Sequence, residues 1–136
     1  MTPEALLKLA VEAMQKAYAP YSGFYVGAAL LTKEGRVYTG CNIENAAYGP
    51  TNCAERTAFF KAVSEGERDF AAIAVVGGRH GEITGLFPPC GVCRQVMQEF
   101  CGPDFLIYMG REQDGYETIT LEKLLPFGFS SGEHMA

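Results

Sequence analysis

Three thiols and one carboxyl stand out by their spacing. Cys53 and Glu55 lie in Asn52-Cys53-Ala54-Glu55-Arg56, and Cys90 and Cys93 in Pro88-Pro89-Cys90-Gly91-Val92-Cys93. Each stretch reads as a loop running into a helix, where the partial positive charge of the helix N-terminus lowers a thiol's pKa. Three thiolates can hold a zinc ion and leave one coordination position for water. A carboxylate two residues after the first thiol could carry protons to and from that water. Residues two apart on a helix face different ways, so Cys53 must stand at the helix entrance in a non-helical conformation with Glu55 curling back. The plainer alternative for Glu55 is a first-turn acid favoured by the helix dipole.

Other chemistries compete for the same residues. Cys-x-x-Cys also serves redox pairs, but Cys53 and Glu55 would then have no role. A closed structural zinc site needs a fourth ligand from Cys41, Cys101, His80 or His134, and none of these forms a second closely spaced pair. His80 reads as a solvated loop residue. Cys41 and Cys101 read as small buried hydrophobes. Three thiolates around Zn2+ leave a net negative charge that resists deprotonation of a bound water. Arg56, next in sequence to Glu55, could draw charge off the thiolates, and Arg94 is a second candidate. The alternative for both is a solvated helix arginine.

The elements that must position these groups follow from periodicity. Thr2-Pro3-Glu4 is a helix start, and Leu6, Leu7, Ala10, Val11, Met14 and Ala17 follow at helical spacing until Ala19-Pro20 ends the element. Residues 26–32 and 37–42 form an antiparallel hairpin about a turn at 33–36. Residues 43–51 are a loop, 53–65 a helix stopped by Gly66, and 70–76 a doubly covered strand. A glycine- and proline-rich loop at 77–89 leads to a helix at 91–100, closed by Gly102-Pro103. Strands at 105–109 and 116–120 follow, then a short helix that Thr120 caps and Pro126 ends. Two right-handed parallel crossovers and one short antiparallel connection give an α/β fold. It is a mixed five-stranded sheet with helices on both faces, three layers in one domain over residues 1–136. Both thiol-bearing segments then open crossover helices at the same end of the sheet, where open α/β folds bind ligands.

Composition narrows the partners. The chain has 136 residues, 48% hydrophobic and 20% charged, with net charge −5. Its 11 Lys and Arg are spread singly, which argues against a polymeric nucleic acid and allows a small neutral ligand. No apolar run reaches the ~18 residues of a membrane helix. The N-terminus lacks the basic and apolar regions of a signal peptide, so a cytoplasmic location is expected.

Further stretches surround the thiols: Ala19-Pro20-Tyr21-Ser22 with Phe24-Tyr25-Val26-Gly27-Ala28-Ala29, and Gly40-Cys41-Asn42-Ile43-Glu44-Asn45-Ala46. The others are Cys53-Ala54-Glu55-Arg56-Thr57, Pro89-Cys90-Gly91-Val92-Cys93-Arg94-Gln95, and Leu124-Leu125-Pro126 with Phe129-Ser130. Three cysteine ligands, a non-ligand Glu and Pro-Cys-x-x-Cys form the zinc-deaminase pattern, and the whole set resembles the cytidine deaminases of the short, homotetrameric type. The resemblance implies one zinc per chain on Cys53, Cys90 and Cys93, with Glu55 as proton shuttle and Arg56 tempering thiolate charge. It implies that Asn42 and Glu44 hold ribose hydroxyls and that Phe24 packs on the substrate. Ala54 joins the substrate contacts, Tyr48 lies near a shared wall of the site, and Phe129 stacks on the base from a neighbouring subunit. The activity implied is hydrolysis of cytidine and 2′-deoxycytidine at C4, giving ammonia and the uridine nucleosides, in pyrimidine salvage. The loop at 77–88 is longer than the family pattern, and no role is carried onto it. The tail holds both Phe127 and Phe129, and the spacing from Pro126 favours Phe129. Rival readings are a deaminase of a modified cytosine nucleoside or of a polynucleotide base, and a non-enzymatic zinc-stabilised binding module.

Overall fold

Nine residues, Phe24–Thr32, form a strand, β1, that is covered on both faces. Ala28 and Leu30 enter one core with Ile73, Val75, Ile107 and Met109, while Ala29 enters the other with Ala72, Ala74 and Val76. Side chains alternate across a strand, so a strand between two cores reads as one apolar run. The computed structural model describes residues 1–112 and 115–130; His134 lies outside the described residues.

The remaining elements are α1 (Pro3–Met14), β2 (Val37–Cys41), α2 (Ala54–Ser64), β3 (Phe70–Arg79), α3 (Gly91–Phe100), β4 (Leu106–Gly110), β5 (Tyr116–Thr120) and α4 (Leu121–Leu124). The sheet order is β2-β1-β3-β4-β5. β1 is antiparallel to β2 and β3, β4 is parallel to β3, and β5 is antiparallel to β4. β2 and β3 therefore run the same way with β1 between them, and the α2 crossover steps over one strand. Helix α1 covers one face of the sheet through Leu6, Leu7, Ala10 and Met14. Helices α2, α3 and α4 cover the other through Ala58, Phe59, Met97, Leu121 and Leu124. The fold is the expected mixed α/β sheet with helices on both faces. Among the described residues, no helix is long and apolar enough to cross a membrane.

Two expected boundaries move furthest, and β1 begins two residues early at Phe24. Helix α1 ends at Met14, and Ala17 lies beyond it in a turn closed by its own amide on the Met14 carbonyl at 3.2 Å. Strand β3 continues past Val76 to Arg79, so Gly77 and Gly78 are strand residues paired with Val26 and Tyr25. They are glycines for want of space. A Cβ on Gly77 would stand 2.6 Å from the Phe87 ring, and one on Gly78 would collide with the Glu82 carbonyl.

Glycine also sets where α2 begins. A Cβ on Gly40 would lie 2.5 Å from the Ala54 carbonyl oxygen and 2.6 Å from the Ala58 amide nitrogen. The first turn of α2 thus rests directly on β2. Gly40→Ala should cost about 1–3 kcal/mol through overpacking, seen as a lower urea midpoint. An unchanged midpoint would mean that α2 can lift off β2 freely.

Candidate active site

Cys53 is the N-cap of α2 (φ −78°, ψ 156°) and Cys90 the N-cap of α3 (φ −69°, ψ 169°), both in extended backbone. Neither thiol caps its helix by a side-chain hydrogen bond. Cys93 follows Cys90 by nearly one turn and is buried. The three sulfurs converge, with Cys53 Sγ 3.7 Å from Cys90 Sγ and Cys90 Sγ 3.5 Å from Cys93 Sγ. A tetrahedral ion with Zn–S bonds of about 2.3 Å holds its sulfurs about 3.8 Å apart. The observed spacing therefore fits zinc. Among the described residues no fourth His, Cys, Asp or Glu joins this cluster. His80 is exposed, edge-on to Tyr25, and its amide donates to the Gly23 carbonyl at 2.8 Å. Cys101 packs against the core and burial pushes its thiol up to about 12, while burial also raises Cys41.

Charge is unevenly shared among the thiols. Cys53 is held down to about 5, first because Cys93 donates to it and then because Arg56 does. Cys93, as that donor and a buried group, is driven up. Arg56 Nη2 donates to Cys53 Sγ at 3.2 Å. Its buried Nε finds no partner among the described residues. Arg94 does not join the thiols. Its Nε donates to the Pro89 carbonyl at 2.8 Å and its Nη1 to the Leu124 carbonyl at 2.7 Å, which ties the Cys90 loop to α4.

Glu55 is only 5% exposed, which separates it from an ordinary first-turn acid. Burial, with the Cys53 charge adding, pushes its carboxyl up to about 7.

The loop after β2 is pinned rather than free. Ile43 and Asn52 exchange backbone hydrogen bonds at 3.0 and 2.9 Å, and the Glu44 amide donates to the Tyr18 carbonyl at 2.8 Å. Asn52 Nδ2 reaches Thr57 Oγ1 at 3.1 Å, and that hydroxyl donates to the Cys41 carbonyl at 3.0 Å. The loop therefore returns the chain to Cys53 beside the end of β2. Asn42 extends the β1 ladder with its side chain, Oδ1 accepting from the Val26 amide at 2.8 Å and Nδ2 donating to the Phe24 carbonyl at 2.9 Å. Glu44 accepts from the Tyr21 and Ser22 amides, each at 3.0 Å, and from the Ser22 hydroxyl. Those bonds hold its carboxyl below the usual range, the Ser22 hydroxyl first among them.

A cavity of about 250 Å³ collects these groups: Asn42 and Glu44 at one part, Cys53, Ala54, Glu55 and Cys90 at another, with Val26 and Phe87 in its walls. Larger hollows elsewhere, such as one of about 400 Å³ between α1 and Gly110, hold no such set. Three expected contacts do not line this cavity. Phe24 packs on Phe87 at 5.9 Å and carries the Arg79 guanidinium 4.6 Å over its ring. Tyr48, at φ 61° and largely exposed, borders an adjoining open hollow shared with Glu44 and Thr51. Phe129 lies in the tail, its carbonyl accepting from Gln95 Nε2 at 3.1 Å. Phe87 is the bulkiest of the cavity residues that sequence reasoning missed, with Val26, Thr51, Asn52 and Pro88 beside it. The one hint was an apolar Leu86-Phe87 pair directly before the prolines.

Comparison with known proteins agrees with this geometry. Residues 1–109 match the model of the cytidine and deoxycytidylate deaminase zinc-binding region. A cytidine deaminase of Halalkalibacterium halodurans is 53% identical over 131 residues, 96% of each chain. One of Sporosarcina psychrophila is 52% identical over 130 residues, 96% of this chain and 93% of its own. The crystal structure of cytidine deaminase from Burkholderia pseudomallei matches with TM-score 0.87 and 50% identity, over 95% of this chain and all of that one. With three thiols at zinc spacing beside a buried glutamate, and this likeness running nearly end to end, the chain belongs to the cytidine and deoxycytidylate deaminase family.

Proposed function

We propose that the chain, acting as one domain over residues 1–136, hydrolyses cytidine and 2′-deoxycytidine to the uridine nucleosides and ammonia. The observation that carries this reading is one cavity, shared by the thiol cluster and buried Glu55 with the amide and carboxylate of Asn42 and Glu44. Cys53, Cys90 and Cys93 would hold one zinc ion, which when bound supplies a Lewis acid that lowers the pKa of water at its open position. Arg56 draws charge from Cys53 and so offsets the excess of three thiolates. Glu55 takes a proton from the attacking water and gives it to N3 of the base, then takes the proton of the new C4 hydroxyl and passes it to the departing amine, so that ammonia leaves and the C4 carbonyl forms.

The sugar end follows from what remains unspent. Asn42 uses one Nδ2 hydrogen on Phe24, leaving the second for a ribose hydroxyl, and Glu44 keeps one lone pair on Oε2 beyond the three facing Tyr21 and Ser22. Ala54 lies under the substrate, Phe24 packs near it, and Tyr48 stands at a wall completed by another subunit. Phe129 reaches a neighbour's base within a homotetramer. The setting is pyrimidine salvage in the cytoplasm, with a free nucleoside rather than a polynucleotide as substrate.

The test is ammonia release and ultraviolet absorbance change with cytidine, 2′-deoxycytidine and modified cytosine nucleosides, together with metal analysis. The expected result is close to one zinc per chain, with turnover of both unmodified nucleosides. A zinc-loaded chain that releases no ammonia from any of them would favour a zinc-stabilised binding module.

A further inference from the structure

We infer that Phe87 is the size-determining wall of the cavity, seated by the gap at Gly77, and that it limits the bulk of the base the site accepts. The inference rests on the cytosine-nucleoside reading above. The Phe87 ring lines the cavity that also holds Cys53, Glu55 and Cys90. Behind it there is no slack. A Cβ on Gly77 would stand 2.6 Å from Phe87 Cγ and 2.8 Å from Cδ2, so the ring lies directly on the β3 backbone. Beside it, Phe24 meets the ring at 5.9 Å and an angle of 49°, and Phe24 is itself capped by Arg79. Along the chain only Pro88 and Pro89 separate Phe87 from Cys90, and proline fixes φ. The ring is thus held from three directions where it lines the cavity that the reacting base must enter. Gly77 is not at positive φ, so a substitution there acts on the ring and not through backbone strain.

Large and small residues at 87 and 77 should therefore trade off. Phe87→Val enlarges the cavity, and Gly77→Ala presses the ring into it. The ratio of kcat/KM for 5-methylcytidine over cytidine should rise about tenfold in Phe87→Val, the scale of one methylene in an apolar pocket. It should fall in Gly77→Ala, and the double variant Gly77→Ala/Phe87→Val should recover cytidine turnover lost in Gly77→Ala alone. Calorimetric affinity for uridine against 5-methyluridine should move the same way without any turnover. Phe87→Leu keeps apolar packing and serves if Phe87→Val does not fold. A purely structural Phe87 would lower both substrates equally and leave both ratios unchanged, which overturns the inference while the deaminase reading stands. A wild-type chain inert on both nucleosides overturns the reading and the inference together.

Discussion

Glu55→Gln should keep its zinc and its fold and lose about 10²–10⁴-fold in kcat, the scale of one proton-transfer group. The geometry makes the comparison clean. Glu55 is buried against the cavity, and glutamine has nearly its shape, so the packing around it is preserved. Its carboxyl is not among the clustered thiol ligands, so metal content should hold near one per chain. Stability should not fall either. Burial already penalises the ionised carboxyl, and an uncharged amide removes that penalty, as expected where function is placed at a cost to the fold. Single-turnover kinetics with metal analysis on the same sample would check it. Near-normal kcat would refute the proton role. Loss of zinc together with activity would instead make Glu55 a support of the thiol cluster.

The thiol cluster was legible in the sequence because its chemistry is encoded by type and spacing: Cys53 and Cys90 each end a loop, and the N-cap conformation that places them follows from that. β1 was legible because two cores make it apolar throughout. What stayed hidden was set by space and by spare hydrogen bonds. Gly77 and Gly78 read as loop residues, because glycine marks a turn and a close approach alike; only the Phe87 ring and the Glu82 carbonyl tell them apart. Arg56 was the first candidate to meet the thiols and Arg94 the second, both with a solvated helix arginine as the alternative. Which one meets a thiol depends on where α4 offers the Leu124 carbonyl, a contact thirty residues away in sequence. Asn42 carried an amide suited to a sugar, but its use in extending the β1 ladder appears only once β1 and β2 are paired.

A chain with Phe129→Ala should lose most of its activity and regain part of it when co-expressed with Glu55→Gln chains that are themselves nearly inactive. Phe127 is fully exposed at φ 56°, and Phe129 is 60% exposed. Leaving a phenylalanine in water forgoes about 1.5–3 kcal/mol relative to burial. A bulky residue in the left-handed region costs roughly 1–3 kcal/mol more. Yet the tail is held in place: Arg94 grips the Leu124 carbonyl, Gln95 grips that of Phe129, and Gly128 sits where a Cβ would meet Gln98 Oε1 at 2.6 Å. An anchored tail that presents two aromatic side chains suits delivery to a second copy of the chain. Light scattering should then give a mass near four times 14.8 kDa. In an equal mixture about a quarter of the sites would combine an intact Glu55 with a neighbour's intact Phe129, if two chains build each site. That fraction of wild-type turnover is the expected recovery. Phe129→Ala chains should still assemble, because Phe127 and the carbonyl anchors are untouched, and their scattering mass checks this directly. No recovery in assembled mixtures would place Phe129 in its own subunit's site or in none, and a fully active monomer would remove the need for a partner.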